Sequence, residues 1–388
     1  MKIFELVSDI SSAMAIVGCV YLLVASAVVL RFSRRRGQPK APAVPVTILK
    51  PLHGAEPRLA ERIQAYCEQR YEGELQMICG VRDHADPATE AVRIAQDAVG
   101  PRIELRIDPL QHGGNRKVSN LVNMARDARH EILVLSDSDI EVDQNYLTNV
   151  VSWFAQPDVG AVTCLYHGVP SKALWSRYAA LAINAHFLPS VVLAISFGLA
   201  RPCFGSTIAI RQSTLQNIGG LQAFADCLAD DHAIGMAVRS AGRKVSIATS
   251  SLGHLCFEKS LKALFSNEVR AARTIRQICP LGHCGSVITH PLPMALIDFT
   301  VGGHHGLVLI VAALASRALL CESVRHAFGL ARQPHELIPA RDLLSFAVFV
   351  TSLFGHSVEW RGTTLEMRRN GKIQSDGNRS GVTVAPSE

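Results

Sequence analysis

The sequence ILVLSDSD at Ile132–Asp139 joins an apolar run to two carboxylates, Asp137 and Asp139, which are separated by one serine. The apolar run predicts a buried strand. Because residues i and i+2 of an extended chain point to the same side, both carboxylates can reach one cation at the carboxyl end of the strand. Open α/β sheets bind their ligands at that end. The alternative is an ordinary solvated turn, since a three-residue motif is a weak signal by itself.

An alternation of strand and helix patterns surrounds this stretch. Apolar runs predict strands at Val44–Lys50, Leu75–Val81, Ile103–Ile107, Ile132–Ser136 and Val159–Leu165. Amphipathic patterns predict helices between them at Arg58–Gln69, Pro87–Ala98, Lys117–Ala125 and Gln144–Phe154. Strands that alternate with helices form a mostly parallel sheet with helices on both faces, so the pattern predicts an α/β fold.

The composition of the 388-residue chain indicates a membrane-associated protein and gives no support to nucleic-acid binding. Hydrophobic residues make up 48% of the chain and the mean hydropathy is +0.19, both high for a purely soluble protein. The formal net charge of +6 is modest for this length, and the basic residues are dispersed apart from two short clusters. The ten cysteines follow no regular spacing, which predicts reduced thiols instead of a disulfide framework.

The first apolar segment, residues 10–30, is long enough to cross the hydrocarbon core as a helix. The basic residues that follow it are Arg31, Arg34, Arg35, Arg36 and Lys40. Because basic residues are retained on the cytoplasmic side, this anchor should place the large domain at residues 44–284 in the cytoplasm. No small-residue cleavage signature follows, so we expect a retained anchor and not a signal peptide.

A second membrane region is predicted at residues 290–358. Two apolar stretches, His290–Leu320 and Leu343–Val358, predict two spans that return the chain to the cytoplasm, where the polar tail at 359–388 should lie. A shorter apolar stretch at residues 187–200 lies within the large domain. It predicts an interfacial segment, with a buried core helix as the alternative.

Several other groups of charged residues are suited to a nucleotide. Asp83 follows the second predicted strand, and GGNRK at 113–117 offers glycines for close backbone approach and two cations for a diphosphate. Asp230–Asp231 precede a predicted helix, where the helix dipole alone would favour two acids. Arg270 and Arg273 have helical i and i+3 spacing, which also suits a basic helix face on a membrane surface. The GGNRK spacing is not that of a P-loop, and the sequence contains no G-x-G-x-x-G.

Taken in their order along the chain, these charged residues resemble the D, D-x-D, D and (Q/R)-x-x-R-W series of membrane-bound, inverting, nucleotide-sugar glycosyltransferases. The matching positions are Asp83, Asn115–Leu121, Asp137–Asp139, Asp230–Asp231 and Arg270–Arg273. Over most of residues 10–365 the chain is similar to the ceramide glucosyltransferase family, and within it to bacterial hopanoid-associated glycosyltransferases. The resemblance implies a GT-A domain, which is a Rossmann-like nucleotide-diphospho-sugar transferase fold, facing the cytoplasm at the inner membrane. Thr274 stands where the series has its tryptophan, so no indole stacks there.

The resemblance implies a role for each acidic residue. Asp139 would hold a divalent cation, Mg²⁺ or Mn²⁺, with Asp137 directed toward the same metal or toward the ribose. Asp83 would contact the base. Asp231 would take the proton of the acceptor hydroxyl as the catalytic base, and Asp230 in the donor site would raise the pKa of Asp231 through like-charge repulsion.

The resemblance also implies the substrates. Arg270 and Arg273 would bind the diphosphate of a UDP-sugar, with Lys117 nearby, and the acceptor would be a hydroxyl of a membrane lipid. The hopanoid-associated relatives suggest UDP-N-acetylglucosamine and a polyhydroxylated hopanoid such as bacteriohopanetetrol. The ceramide relatives suggest UDP-glucose and ceramide, and no residue of the sequence separates these two pairs.

Three other classes stay open at the level of sequence. A processive polysaccharide synthase would need more spans to build a polymer channel. A catalytically inactive scaffold of the same fold is compatible with Thr274, although the acidic residues are all present. An unrelated membrane-associated α/β protein, such as a phosphohydrolase, could use the D-S-D motif as a simple metal site. The sequence does not indicate an oligomeric state.

Overall fold

The computed structural model describes residues 2–34, 43–355, 357–360 and 363–366. The strands are β1 (Val46–Pro51), β2 (Leu75–Val81), β3 (Ile103–Ile107), β4 (Ile132–Ser136), β5 (Ile140–Glu141), β6 (Val159–Pro170), β7 (Thr207–Arg211), β8 (Lys244–Cys256), β9 (Ser357–Trp360) and β10 (Thr363–Glu366). The helices are α1 (Lys2–Ser33), α2 (Leu59–Cys67), α3 (Ala88–Val99), α4 (Arg116–Ala125), α5 (Tyr146–Val151), α6 (Leu174–Ala182), α7 (Leu188–Ser196), α8 (Gln212–Asn217), α9 (Asp230–Ser240), α10 (Leu261–Ile278), α11 (Pro280–Gly285), α12 (Pro291–Thr300), α13 (Gly306–Phe328) and α14 (Ile338–Ser352). A π-helical turn at Ile183–Phe187 joins α6 and α7 into one helix.

Eight strands form the main sheet, in the order β3-β2-β1-β4-β7-β6-β8-β5. Strands β1 to β4 are parallel, with Ile48 of β1 level with Met77 of β2 and Val134 of β4. Beyond β4 the sheet is mixed, because β7 runs antiparallel to both β4 and β6. The α/β prediction is therefore confirmed, while the sheet is less parallel than predicted and contains three strands, β5, β7 and β8, that the sequence pattern did not predict.

Helices cover both faces of the sheet, since consecutive residues of its central strands enter different cores. Ile48 and Val134 pack in one apolar cluster with residues of α2, α3 and α5. Leu49 and Leu135 pack in a second cluster with residues of α4, α8 and α9. This period of two is the ordinary alternation of a strand that is buried on both sides. The carboxyl end of β4 therefore opens at the rim between two helical layers.

Three helices of the described chain are long and apolar enough to cross a membrane: Lys2–Ser33, Leu174–Ser196 and Gly306–Phe328. Helix α1 contains the predicted span at 10–30 and packs against α7, α12 and α13. The stretch at 187–200 belongs to a longer helix that begins at Leu174. Its first half was not predicted, because the buried polar residues Ser176 and Asn184 interrupt the apolar run. The interfacial position of 187–200 stays a prediction.

The region 290–358 contains three helices where two spans were predicted. Residues 301–305 divide the first apolar stretch into α12, with ten residues, and α13, with 23. The break includes Gly302, whose φ of 83° does not continue a helix. Helix α14 has 15 residues, fewer than the roughly 20 that a perpendicular span requires. The number of spans stays a prediction, and the tail at 359–388 lies outside the described residues apart from the strand backbone in β9 and β10.

Ion pairs join α10 and the π-helical turn to the helices of residues 290–358. Arg341 on α14 donates hydrogen bonds of 2.8 and 2.7 Å to the two carboxylate oxygens of Glu268 on α10. The next residue, Asp342, lies 3.1 Å from Arg317 of α13 and 3.0 Å from His186. A buried charge is costly unless it is paired, so the Arg341–Glu268 pair holds α14 against α10, which carries the two predicted donor-binding arginines, and the Asp342 contacts hold α14 against α13 and the π-helical turn.

Candidate active site

The D-S-D turn lies between β4 and β5, at the carboxyl end of the sheet where it was predicted. Lys50 Nζ donates a 2.7 Å hydrogen bond to the carbonyl of Asp137, and Arg62 Nε donates a 3.1 Å bond to the carbonyl of Ser138. Burial lowers the pKa of Lys50 to about 8. Both cations bind main-chain oxygens of the turn, so the side chains of Asp137 and Asp139 are left for the cavity that they line.

The GGNRK loop is locked by its asparagine. Asn115 is the N-cap of α4, where its Oδ1 accepts hydrogen bonds from the N–H groups of Lys117 and Val118 at 3.0 and 3.1 Å. Its Nδ2 donates to the carbonyl of Cys227 at 2.7 Å and to Asp230 Oδ1 at 3.3 Å. One buried side chain therefore aligns the loop with the first turn of α9.

Lys117 connects acidic residues from two elements. Its Nζ lies 2.6 Å from Asp137 Oδ1 and 3.7 Å from Asp230 Oδ2. Burial lowers the pKa of Lys117, but the negative charges of Asp137 and Asp230 outweigh burial and leave the pKa raised. The lysine is therefore a fixed positive charge at the centre of the acidic group.

Asp231 is held by two backbone donors. Its Oδ2 accepts a 2.9 Å hydrogen bond from the N–H of Gly205, and its Oδ1 accepts a 2.7 Å bond from the N–H of His232. The N-cap position of α9 belongs to Ala229, which makes no side-chain cap, so Asp231 lies in the first turn and is not itself the cap. The helix dipole still favours its charge.

Three charged groups converge next to Gly205. A Cβ atom built on Gly205 would lie 3.3 Å from Lys117 Nζ, 3.5 Å from Asp137 Oδ2 and 3.5 Å from Asp231 Oδ2. Residues from α4, from the D-S-D turn and from α9 therefore border one small space. The glycine, which the sequence analysis did not single out, keeps that space open.

Burial is the main cause that raises the pKa of Asp137, Asp230 and Asp231, and in each case the charge of Lys117 opposes it. The charge of Asp231 also raises the pKa of Asp230. The sequence analysis expected this repulsion to raise the pKa of Asp231, and repulsion between two like charges acts on both members of the pair. In the structure it is burial, and to a smaller extent the charge of Asp137, that raises the pKa of Asp231.

A cavity of about 600 Å³ opens beside this group. The predicted site residues that line it are Asp83, Lys117, Asp137, Asp139, Asp230 and Arg270. Asp83 is exposed at its rim, where Oδ1 accepts a hydrogen bond from the N–H of Ala85. Asp231 is not among the lining residues and borders the space next to Gly205 instead.

The two arginines of α10 have different surroundings. Arg270 lines the cavity, whereas Arg273 reaches the end of α14, where its Nη2 lies 3.0 Å from the position of a Cβ atom on Gly355. Thr274 Oγ1 donates a 2.9 Å hydrogen bond to the carbonyl of Arg270, one turn earlier on the same helix. The structure thus brings Arg270, and not Arg273, to the other donor-site residues.

The surroundings of Asp139 fit a divalent cation that takes few ligands from the protein. Its Oδ1 is buried and accepts no hydrogen bond within the described part of the chain. His254 Nδ1 lies 3.7 Å from that oxygen, while Asp137 Oδ1 is already paired with Lys117. No cluster of three or more acidic, histidine or cysteine ligands occurs among the described residues. Mg²⁺ commonly binds through one or two carboxylates, waters and substrate phosphates, so a ready protein cage is not required.

Besides Gly205, sequence reasoning missed the supporting residues Asp86 and Lys50. Asp86 accepts hydrogen bonds from His53 Nδ1 and from the N–H groups of Gly54 and Ala88, which ties the loop after β1 to the start of α3 at the cavity wall. An acid before proline at a helix start could have signalled this contact. Lys50 is the other, and its signal was a lone cation at the end of an apolar strand.

Comparison with known proteins gives the family. The chain matches glycosyl transferase family 21 over residues 10–373. It is 22% identical over 365 residues to ceramide glucosyltransferase 1 of Caenorhabditis elegans, which covers 89% of this chain and 77% of that protein. These matches confirm the predicted resemblance to ceramide glucosyltransferases.

A solved structure gives the fold. The mannosyltransferase PcManGT from Pyrobaculum calidifontis, in complex with GDP-Man and Mn²⁺, superposes with a TM-score of 0.51 at 21% identity, over 90% of this chain and 99% of that one. The predicted GT-A fold is thereby confirmed, and with three candidate membrane helices the chain is a membrane protein. This chain belongs to glycosyl transferase family 21 and is a glycosyltransferase of the GT-A fold.

Proposed function

We propose that the protein transfers a sugar from a UDP-sugar to a hydroxyl of a membrane lipid, with inversion at the anomeric carbon. The convergence of Lys117, Asp137 and Asp231 next to Gly205 carries this proposal. In this proposal the ammonium group of Lys117 would serve the donor and the carboxylate of Asp231 would serve the acceptor, beside a cavity large enough for a nucleotide sugar.

The donor would lie in the cavity with its diphosphate between Lys117 and Arg270, whose charges oppose the negative charge of the leaving group. Asp83 at the rim would accept a hydrogen bond from the base. Asp139, with the imidazole of His254 beside it, would hold Mg²⁺ or Mn²⁺. When bound, the cation supplies Lewis-acid stabilisation to the departing diphosphate. PcManGT binds GDP-Man and Mn²⁺, which supports a nucleotide-sugar donor and a divalent cation for this protein.

Asp231 would act as the base. The acceptor oxygen attacks the anomeric carbon, the bond from that carbon to the diphosphate oxygen breaks, and the electron pair leaves with the nucleoside diphosphate. The proton of the acceptor hydroxyl passes to the carboxylate of Asp231. Hydrogen bonds from the N–H groups of Gly205 and His232 orient this carboxylate, and the charge of Lys117 favours its ionised form against burial.

For the substrates, we propose UDP-N-acetylglucosamine and a polyhydroxylated hopanoid, supported by the resemblance to hopanoid-associated glycosyltransferases. The second candidate pair is UDP-glucose and ceramide, which the similarity to ceramide glucosyltransferase 1 favours. In either case the domain at 44–284 would face the cytoplasm at the inner membrane, where nucleotide sugars are available, and the apolar helices would admit the lipid from the bilayer.

The test is an assay of purified protein in lipid with a panel of nucleotide sugars and both acceptors, followed by mass analysis of the lipids. A glycosylated lipid, formed with stoichiometric nucleoside diphosphate, supports the proposal and identifies the pair. Binding of nucleotide sugar without transfer to either lipid would favour an inactive scaffold. Release of phosphate from phosphoesters would favour a phosphohydrolase, and long sugar chains a processive synthase.

A further inference from the structure

Four rings pack together next to the carboxylates of the site. Tyr166 of β6 stacks on Phe187 with a centroid distance of 4.9 Å and an interplanar angle of 27°. The edge-to-face contact with Phe204 is 5.9 Å, and the His254 ring lies at 5.5 Å. Phe187 and Phe204 also contact each other at 5.7 Å. We call these four residues the aromatic wall.

The aromatic wall lies next to both the proposed cation site and the proposed base. His254 Nδ1 lies 3.7 Å from Asp139 Oδ1, at the proposed cation site. Phe204 directly precedes Gly205, whose N–H binds Asp231. The backbone of Phe204 is fixed by Thr163, which accepts from its N–H at 2.9 Å and donates to its carbonyl at 3.1 Å. The wall is therefore a rigid surface between the cation site and the base.

The aromatic wall is also continuous with the membrane helices. Phe187 lies in the π-helical turn of the apolar helix Leu174–Ser196, a distortion that often marks functional positions. Phe187 and Phe204 pack against an apolar cluster that includes Leu22 of α1 and Leu320 of α13. The aromatic wall therefore joins this apolar cluster to the loop that holds Asp231.

Tyr166 adds a polar group to this surface. Its side chain is partly exposed, and its hydroxyl makes no hydrogen bond to any described residue. Burial raises the pKa of Tyr166, and the charges of Asp231, Asp139 and Asp137 raise it further, so the phenol stays protonated and can donate. A partly exposed hydroxyl without a protein partner is available to bind water or a ligand, and a hydroxyl of the acceptor would be such a ligand.

We propose that the aromatic wall is the acceptor subsite, in which Phe187 and Phe204 pack on the hydrocarbon next to the reacting hydroxyl and the Tyr166 hydroxyl binds the oxygen-bearing end of the lipid. This inference rests on the proposed lipid glycosylation. It also assigns the aromatic contact with the acceptor to residues other than position 274, where a threonine stands. Apolar rings beside one phenol hydroxyl suit a lipid that has an apolar body and a hydroxylated end.

Two conservative variants test the proposal by kinetics. Tyr166→Phe keeps the ring but removes one hydrogen bond, which should raise the KM for the lipid about five- to tenfold. Phe187→Leu keeps an apolar side chain but removes the stacking ring, and should also raise that KM. In both variants the affinity for UDP-sugar should stay close to the parent value, because neither side chain lines the donor cavity. Tyr71→Phe, which removes a hydroxyl bound to Val44, is the matched control and should leave the KM for the lipid unchanged.

Photolabelling gives a readout that does not depend on transfer. The parent protein in lipid nanodiscs is irradiated with a ceramide or a polyhydroxylated hopanoid that carries a diazirine next to its hydroxyl groups. Labelled peptides that contain Tyr166, Phe187 or Phe204 for either probe support the subsite. Labelling confined to other segments with both probes, or an unchanged lipid KM in Tyr166→Phe, would overturn it. If the parent transfers no sugar at all, the proposed function fails, and the labelling pattern still decides the subsite.

Discussion

The N–H of Gly205 donates a 2.9 Å hydrogen bond to Asp231 Oδ2. Gly205 follows the apolar helix Leu174–Ser196 and precedes β7, the central antiparallel strand of the sheet. The carboxylate proposed as the base is therefore oriented by the loop that connects a membrane-side helix to the catalytic sheet. This arrangement suits an enzyme whose donor is water-soluble and whose acceptor lies in the bilayer.

Gly205→Ala should strongly reduce sugar transfer without unfolding the protein. The backbone of Gly205 is outside the left-handed region, so alanine causes no backbone strain. Its methyl group would lie 3.3 Å from Lys117 Nζ, in the space between that lysine, Asp137 and Asp231. Crowding of this kind costs about 1–3 kcal/mol, so we expect a fall of about ten- to hundredfold in kcat/KM. In Gly285→Ala, where the new methyl group meets no atom within 4 Å, transfer should equal that of the parent. If Gly205→Ala and Gly285→Ala transferred sugar at the same rate, the convergence of charged groups next to Gly205 would no longer support the proposed function.

Chelation should abolish transfer, and Mg²⁺ or Mn²⁺ should restore it. The buried Oδ1 of Asp139, which accepts no hydrogen bond from any described residue, is the best-placed ligand for the cation, so Asp139→Ala should weaken nucleotide-sugar binding as well as turnover. Titration of each variant with UDP-sugar, with and without Mn²⁺, measures this effect. The control is Asp158→Ala, at an exposed carboxylate paired with Lys244, which should bind as the parent does. Full activity in excess EDTA would exclude the cation.

Local sequence pattern was enough for the elements that present the donor-site residues. The apolar run of β4 and the strand–helix alternation around it depend on neighbouring residues, so the end of β4 and the start of α4 were placed within about one residue. The loop asparagine, Asn115, is also an ordinary N-cap residue that local pattern can identify.

Local sequence pattern predicted neither the strands β5, β7 and β8 nor the first half of the helix Leu174–Ser196. Strand β7 lies between β4 and β6 through pairings such as Val134 with Ala209, which are far apart in sequence. His186 and Asn184 interrupt an apolar helix because distant residues pair with them, namely Asp342, Gly168 and Gln333. Neither effect leaves a local signal.

The domain at 44–284 should be protected from protease added to intact cells. The basic residues after the first apolar segment predict a cytoplasmic position for this domain by the positive-inside rule. Immunoblots against an epitope in an exposed loop of the domain, before and after permeabilisation, make the measurement. The epitope should be lost only after permeabilisation. Its digestion in intact cells would overturn both the orientation and the proposed access to cytosolic UDP-sugar.

Acid should destabilise the protein partly through His167. Burial lowers the pKa of His167 to about 4, against about 6.5 in an unfolded chain. Between these values the unfolded state binds the extra proton, so stability is complete above pH 6.5 and is lost as the pH falls toward 4, by at most about 3 kcal/mol. His167→Gln should therefore flatten the decline in melting temperature between pH 7 and pH 4.5. His84→Gln, at an exposed histidine, is the control, and identical slopes in both variants and the parent would contradict the assignment.

Asp231→Asn should separate the base from a structural acid. The carboxylate accepts two backbone N–H groups, whereas an asparagine side chain has only one acceptor oxygen, so the variant loses one hydrogen bond and about 1–3 kcal/mol of stability. Loss of the base should reduce transfer by about 10²–10⁴-fold while the affinity for UDP-sugar hardly changes. The measurement is the transfer rate beside UDP-sugar binding and melting temperature on one preparation.

Asp143→Asn is the matched control for Asp231→Asn, since its Oδ1 accepts a backbone N–H from Asn145 in an exposed turn. It should keep both transfer and binding, because asparagine retains that single acceptor. If Asp231→Asn transfers sugar at close to the parent rate, Asp231 is structural, and Asp230, bound to Asn115 and near Lys117, becomes the next residue to test as the base. If binding of UDP-sugar is lost together with transfer, Asp231 belongs to the donor site. A loss of transfer alone, far larger than the loss of stability explains, identifies it as the group that accepts the proton.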